Sequence, residues 1–358
     1  MMGKCITSVS KVYHRVKWMW RIIYTVTMNR SDRIRIFYTE LKHWFAVHKR
    51  TLPWRDLNVK DRNHRAYLVL VSEIMLQQTQ VSRVIILYKN FIQTFPTIED
   101  LSKASNREVL IAWKGLGYNS RALRLRDAAK TITTKFQGKF PHDSEHLQSI
   151  SGIGHYTAGA IRNFAFGLPT ACIDTNIRRI LHRCFIGLEN ADGVWKKSDK
   201  ILLELLEDVM AEAIDSGWSA KDFYAAMMDF GSLVCTKNDP KWQLMPVKMR
   251  PIFKAYGKQI KRTPVPDPSK GLVQGTAKKR EPGREVAGKF VPNRIFRGRV
   301  IDALREEERG LTLPEIGREI ALDWSMGNHT EWLKGLLEKL KKDELIEVKR
   351  GKYVLHSS

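Results

Sequence analysis

Apolar side chains recur at helical spacing over most of the chain. Behind Ser31, a residue suited to capping, Phe37, Leu41, Trp44 and Phe45 share one face, predicting a helix that stops at L-P-W-R over 52–55. The run Y-L-V-L-V-S-E-I-M-L-Q-Q-T-Q over 67–80 predicts a buried helix. Further helices are expected near 98–101, 107–113, 120–135, 145–150, 175–184, 194–213 and 220–233. No sustained period-two alternation interrupts them, so the fold class of this core, 31–258, is expected to be all-α. Past it the pattern fails: 262–291 holds Pro, Gly and K-K-R without apolar periodicity, and a flexible basic linker is expected over 259–292. Amphipathic helices return at 295–304, 313–320 and 329–342, followed by L-I-E-V-K-R-G-K-Y-V-L, a β-hairpin turning at Arg350-Gly351. That order predicts a small winged-helix-like α+β domain over 293–358.

Composition narrows the partner. The 358 residues exceed one small module, and 61 Lys and Arg against 38 Asp and Glu leave a net charge of +23. Such a surplus repels itself unless a polyanion relieves it, which points to nucleic acid. Four cysteines, none in a C-x-x-C pair, argue against a disulfide scaffold or a complete cysteine metal site. Residues 1–30 form a basic extension whose apolar stretch, broken by Arg21, is too short and polar to span a bilayer. Its composition fits a transit segment, or an unfolded stretch ahead of Met28. No membrane association is expected, and the chain is expected to be an intracellular monomer located with DNA, in a prokaryotic nucleoid or a eukaryotic nucleus or mitochondrion.

The chemistry centres on two segments. L-Q-S-I-S-G-I-G-H-Y-T-A-G-A over 147–160 joins two helices through a G-x-G turn, with Gly152 and Gly154 allowing close backbone approach and the second helix offering free N–H groups to a phosphate. A-C-I-D-T-N-I-R-R follows at 171–179. The hairpin with its downstream Asp174 resembles the helix-hairpin-helix DNA glycosylase superfamily. S-E-I-M-L-Q-Q-T-Q over 72–80 and G-L-G-Y-N-S-R-A over 115–122 resemble the adenine DNA glycosylase (MutY) family, in register over 34–257. The resemblance implies a six-helix barrel about 60–165 and a second helical domain built from 31–59 and 166–258.

Breaking a glycosidic bond to adenine needs one carboxyl that donates a proton and a second that stabilises an oxocarbenium-like sugar. Glu73, the only charged residue between Arg65 and Arg83, sits in an apolar run that favours its protonated form. Asp174 begins a helix, where N–H donors favour the anion; the same position also suits a plain N-cap. The resemblance assigns Glu73 as the acid, with Asn176 and Tyr156 supporting the two carboxyls. Tyr156 stands where bifunctional endonuclease III relatives carry Lys, so Schiff-base lyase chemistry is not expected. A base inside a duplex must be flipped out to be reached. The resemblance places Gln78 and Tyr118 as wedges, Gln77, Arg121, Gly152, Gly154, His155 and Thr157 against DNA, and Trp54 and Arg55 at the base pocket, although the stretch from 54 to 73 is longer here than in relatives.

Two departures stand out. Most relatives hold a [4Fe–4S] cluster on four cysteines; here Cys235 occupies the first position and Trp242, Met245 and Pro251 the others, so no cofactor or metal is expected. The Nudix-like C-terminal domain that reads 8-oxoguanine in relatives is not recognisable. In its place Lys341, Lys342, Lys349, Arg350 and Lys352 could meet phosphates, and the linker or terminal domain could dock a protein. The expected activity is removal of adenine mispaired with guanine or 8-oxoguanine in double-stranded DNA. A thymine or uracil mismatch glycosylase and a non-catalytic DNA-binding protein are the alternatives.

Overall fold

The computed structural model describes residues 28–55, 58–187, 197–253 and 281–357. The basic extension before residue 28 and most of the expected linker lie outside them. The chain divides into two compact units, one from residues 1–51 and 162–270, the other from 52–161 and 271–358.

In the first unit, α1 (Arg30–His48) is capped by Asn29, whose side chain accepts from the Asp32 N–H, two residues before the Ser31 expected. It buries Ile34, Phe37, Leu41, Trp44 and Phe45. We number the described helices of the second unit's barrel α2 (Arg62–Leu76), α3 (Val81–Thr94), α4 (Ile98–Lys103), α5 (Asn106–Ala112), α6 (Ser120–Lys135), α7 (Ser144–Gln148) and α8 (His155–Ile161). The first unit then resumes with α9 (Thr175–Leu181), α10 (Asp199–Asp215) and α11 (Ala220–Leu233). Helix α11 packs on both α1 and α9. Buried Asp229 fixes the start of the 50s segment by accepting from the Arg50 N–H at 3.0 Å and its Nε at 2.6 Å.

Two sequence expectations need correction here. The helix expected over 67–80 ends at Leu76, and a separate helix, α3, which the expectation omitted, begins at Val81. Helix α3 buries Val84, Tyr88 and Phe91 at i, i+4 and i+7. The break is made from a distance. The Arg121 guanidinium, on α6, donates to the carbonyls of Ile74 at 2.9 Å and Met75 at 3.1 Å, and also to that of Gln77. It thereby satisfies carbonyls that a helix end leaves open.

The second correction concerns the linker. Within the expected 259–292 segment, β1 (Gly283–Val286) pairs antiparallel with β2 (Lys289–Pro292). Ala287 and Gly288 turn between them with φ of 49° and 72°, both in the left-handed region that a two-residue hairpin turn requires. The hairpin leads into α12 (Asn293–Glu306), α13 (Leu313–Ile320) and α14 (Met326–Lys342), then β3 (Ile346–Lys349) and β4 (Lys352–Leu355). The β3–β4 turn falls at Arg350-Gly351 as expected. Phe296, Val300, Leu304, Ile316, Leu333, Leu337 and Ile346 form this domain's core. Arg284, from the added hairpin, grips both Asp323 carboxylate oxygens at 2.7 Å and lies 4.5 Å over the Trp332 ring. The hairpin thus belongs to the folded C-terminal domain.

That domain is bolted to the barrel within the same unit. Arg305 of α12 donates to the Leu110 carbonyl and to Asn119 Oδ1, each at 2.9 Å. The Asn106 amide reaches the Glu344 carbonyl at 3.3 Å and His356 Nδ1 at 3.0 Å. Among the described residues no helix is long and apolar enough to cross a membrane.

Candidate active site

In the second unit the hairpin is formed by α7, the 149–154 turn and α8. Asp143 caps α7, accepting from the His146 N–H. The turn closes with Ile153 N–H on the Ile150 carbonyl at 3.0 Å. Gly152 has φ of 89°, a left-handed conformation that favours glycine, although a Cβ there would meet only ordinary contacts with Arg124. Gly154 is exposed, and a Cβ there would meet nothing. The first-turn N–H groups of α8, from His155, Tyr156 and Thr157, have no partner inside the helix. His155 is exposed and Tyr156 half-buried. The Thr157 side chain is buried, so only its main chain can serve the DNA contact assigned to it.

Helix α2 packs directly on α8, bringing the Glu73 element against the hairpin. Glu73 is part-buried between Ser72 on one side and Ile74 and Met75 on the other, all three buried. Beyond the end of α2, Gln77 and Gln78 are exposed and Gln78 takes φ of 55°. Tyr118 takes φ of 47° and stays 49% exposed, a strained and open placement for a large aromatic.

Arg121 is the link between these two loops, and here the structure corrects the expectation of DNA contact. Its side chain is buried at 4% exposure. Besides the α2 carbonyls it donates to Thr79 Oγ1, to Leu116 O at 3.1 Å and to Gly117 O at 3.2 Å, with its Cζ 5.6 Å from the Tyr118 ring centre. Hydrogen bonds to a charged group contribute about 1.5–3 kcal/mol each. Burial pushes the guanidinium down to about 10, which still leaves it cationic at neutral pH. Arg121 is a brace that presents Gln78 and Tyr118. Trp54 is likewise a core residue, edge-on to Tyr88 at 5.4 Å, and Arg55 is buried beside it; neither side chain lies open to solvent.

In the first unit Asp174 caps α9. Its Oδ1 accepts from the Ile177 N–H at 2.7 Å and its Oδ2 from the Asn176 amide at 2.9 Å. Burial lifts its carboxyl above the ordinary aspartate range; these donors and the Arg179 charge oppose the rise without cancelling it. Asn176 is held in turn by Arg179 Nη2 on its Oδ1 at 2.6 Å, and the same nitrogen donates to the Gly231 carbonyl at 2.9 Å.

Two supporting residues escaped the sequence reading. A Cβ on Gly231 would stand 2.6 Å from the Asn176 Cβ, so only glycine lets α11 approach there. Arg179 was visible only as one of two consecutive arginines. Nothing local marks the role of either residue.

Cys235 is buried, and its carbonyl accepts from Arg179 Nε. Arg183 donates to the carbonyls of Thr236 at 2.7 Å and Lys237 at 3.0 Å and approaches the Cys235 Sγ at 3.7 Å. Met245 is buried and Trp242 stands edge-on to Phe253 at 5.4 Å. Thioether, indole and proline are no replacement for three thiolates, so these residues do not fit a four-iron cluster.

A hairpin with an acid-bearing helix packed on it in the second unit, and a capped aspartate in the first, together define a class. Residues 71–208 match the HhH-GPD superfamily base excision DNA repair protein family. A Homo sapiens protein named adenine DNA glycosylase is 38% identical over 218 residues, 60% of this chain and 39% of that protein. A Mycolicibacterium smegmatis protein of the same name is 32% identical over 280 residues, 77% of this chain and 83% of its own length. The chain belongs to the adenine DNA glycosylase family. It spans about two fifths of the length of its mammalian relatives. A thermostable thymine-DNA glycosylase shares the fold, with a TM-score of 0.53 at 24% identity over 62% of this chain and 96% of that one.

Proposed function

We propose that this chain is a monofunctional DNA glycosylase that flips adenine out of mismatches with guanine or 8-oxoguanine and hydrolyses its glycosidic bond. The observation that carries the reading is the Asp174 carboxylate, held by Ile177 and Asn176 and braced through Arg179 and Gly231. So much structure around one part-buried acid exceeds what a helix cap needs. Glu73 donates the proton that lets adenine leave as a neutral base, and Asp174 stabilises the cationic sugar until water adds. Tyr156 cannot form a Schiff base, so the abasic strand stays intact.

The test uses four duplexes carrying A:8-oxoguanine, A:G, T:G or U:G. Base loss is expected from the two adenine duplexes, with strand scission only after alkali and no borohydride-trapped complex. Release from T:G or U:G alone would replace the adenine reading with that of a thymine or uracil glycosylase.

The fold is held without a cluster in this reading. Arginines 179 and 183 take the carbonyls of the 235–237 segment, and Met245 and Trp242 fill the loop. Metal analysis of the purified chain is expected to find far less than stoichiometric iron, with no cluster absorbance; four irons per chain would overturn this.

A further inference from the structure

The C-terminal domain forms one wall of a groove of about 1290 Å³ whose other wall carries Gln78 and Tyr118. Ile86 and Ile295 both line it and are 66% and 43% exposed, an unusual placement for two isoleucines facing one cleft. Its charge is uneven. Of its two carboxylates, Glu281 pairs with Arg294 at 2.6 Å and Asp302 pairs with Arg305. Arg297, also in the groove, pairs with Asp343 outside it.

Two lining cations are left over, one on each wall: Arg83 in the first turn of α3, and Arg299 on α12. Neither has a carboxylate partner among the described residues; the Arg299 guanidinium donates to the Ile320 carbonyl at 2.8 Å and lies 5.7 Å from the Phe296 ring centre. The wing is different: Lys341 and Lys349, two of its expected phosphate contacts, pair with Glu338 and Glu347.

We propose that this groove binds the sugar–phosphate backbone of duplex DNA, with Arg83 and Arg299 each neutralising a phosphate, so that the C-terminal domain is a second DNA-binding wall. This rests on the reading above that Gln78 and Tyr118 face the duplex. Continuity with those loops and the unmatched positive charge select a polyanion over an acidic or apolar protein segment. The Arg305 contacts to Leu110 and Asn119 fix the two walls together, so the groove exists before DNA arrives.

The test measures binding of the full chain to a fluorescent duplex with one A:G mismatch across a salt series. Each lost phosphate contact lowers the slope of log Kd against log salt by about 0.9. Arg83→Ala and Arg299→Ala are each expected to show that drop, and the double variant a drop of about 1.8. Arg299→Lys, which keeps the charge, retains the slope. Arg318→Ala, an exposed cation of the same domain outside the groove, lowers it by less than half as much.

An unchanged slope in the double variant overturns the proposal. So does an Arg318→Ala effect equal to that of either groove arginine, or a lost slope in Arg299→Lys. Excision by the unaltered chain on the same duplex is followed in parallel. Its absence would sink the glycosylase reading while the slopes still decide the groove.

Discussion

In the proposed reading, Glu73→Gln is expected to cut single-turnover release of adenine by about 10²–10⁴-fold, the range that a positioned proton donor supplies. The substitution keeps the shape and polarity of the side chain and removes only the transferable proton. Glu73 is part-buried on α2 between buried neighbours, and α2 packs on the hairpin helix α8, so a bulkier change would disturb DNA binding as well. Gln avoids that. Duplex affinity measured by anisotropy therefore stays within a few-fold of the parent while chemistry stops. Unchanged turnover in this variant would remove Glu73 from the acid role, and a parallel loss of binding and rate would recast it as a packing residue.

Asp174→Asn is the second large effect, and it separates catalysis from stability. Excision falls by about 10²–10³-fold, the usual cost of removing one preorganised charge-stabilising group. Stability moves differently. Burial raises the Asp174 carboxyl in the folded chain above its unfolded value. A carboxyl shifted in that direction favours the fold while protonated, and its contribution is lost as pH rises through the folded value. At neutral pH the native chain therefore carries the cost of a desolvated anion, which Asn removes while keeping an oxygen for the Ile177 N–H. The melting-temperature difference between variant and parent is expected to shift in the variant's favour between about pH 3 and pH 7. A difference that is flat, or that moves the other way, would show that the donors around Asp174 outweigh its burial.

Much of this site is legible in the residue string because its chemistry is local. Glu73 stands alone in an apolar run, Asp174 precedes a helical stretch, and Gly152 with Gly154 marks a tight turn; each signal occupies a few adjacent positions. Gln78 and Tyr118 are similarly findable by motif, but not their left-handed backbone, which depends on where α2 ends. That end is set by Arg121, more than forty residues away in sequence. A basic residue after G-L-G-Y reads naturally as a DNA contact. Only packing shows that its two terminal nitrogens are spent on carbonyls and a hydroxyl. An aromatic in a loop motif and an aromatic in a core also look alike in sequence, and only the structure sets Trp54 edge-on to Tyr88.

The C-terminal region shows the opposite failure. Gly283, Gly288 and Pro292 read as linker punctuation, yet β1 and β2 use those residues for a close strand approach and a two-residue turn. The hairpin is held by Arg284 on Asp323 and Trp332, contacts that span about forty positions and leave no periodic trace.

By itself the sequence determined the helical core and the positions of the two carboxyls, of Tyr156 and of Cys235, Trp242, Met245 and Pro251, because each follows from side-chain identity at short range. The tertiary structure alone decided that Asp174 is lifted by burial, that Arg121 is a brace, that Gly231 admits Asn176, and that Arg83 and Arg299 share a groove with no carboxylate partner of their own among the described residues. Desolvation, close approach and charge pairing depend on which distant residues become neighbours, and chain order does not record that.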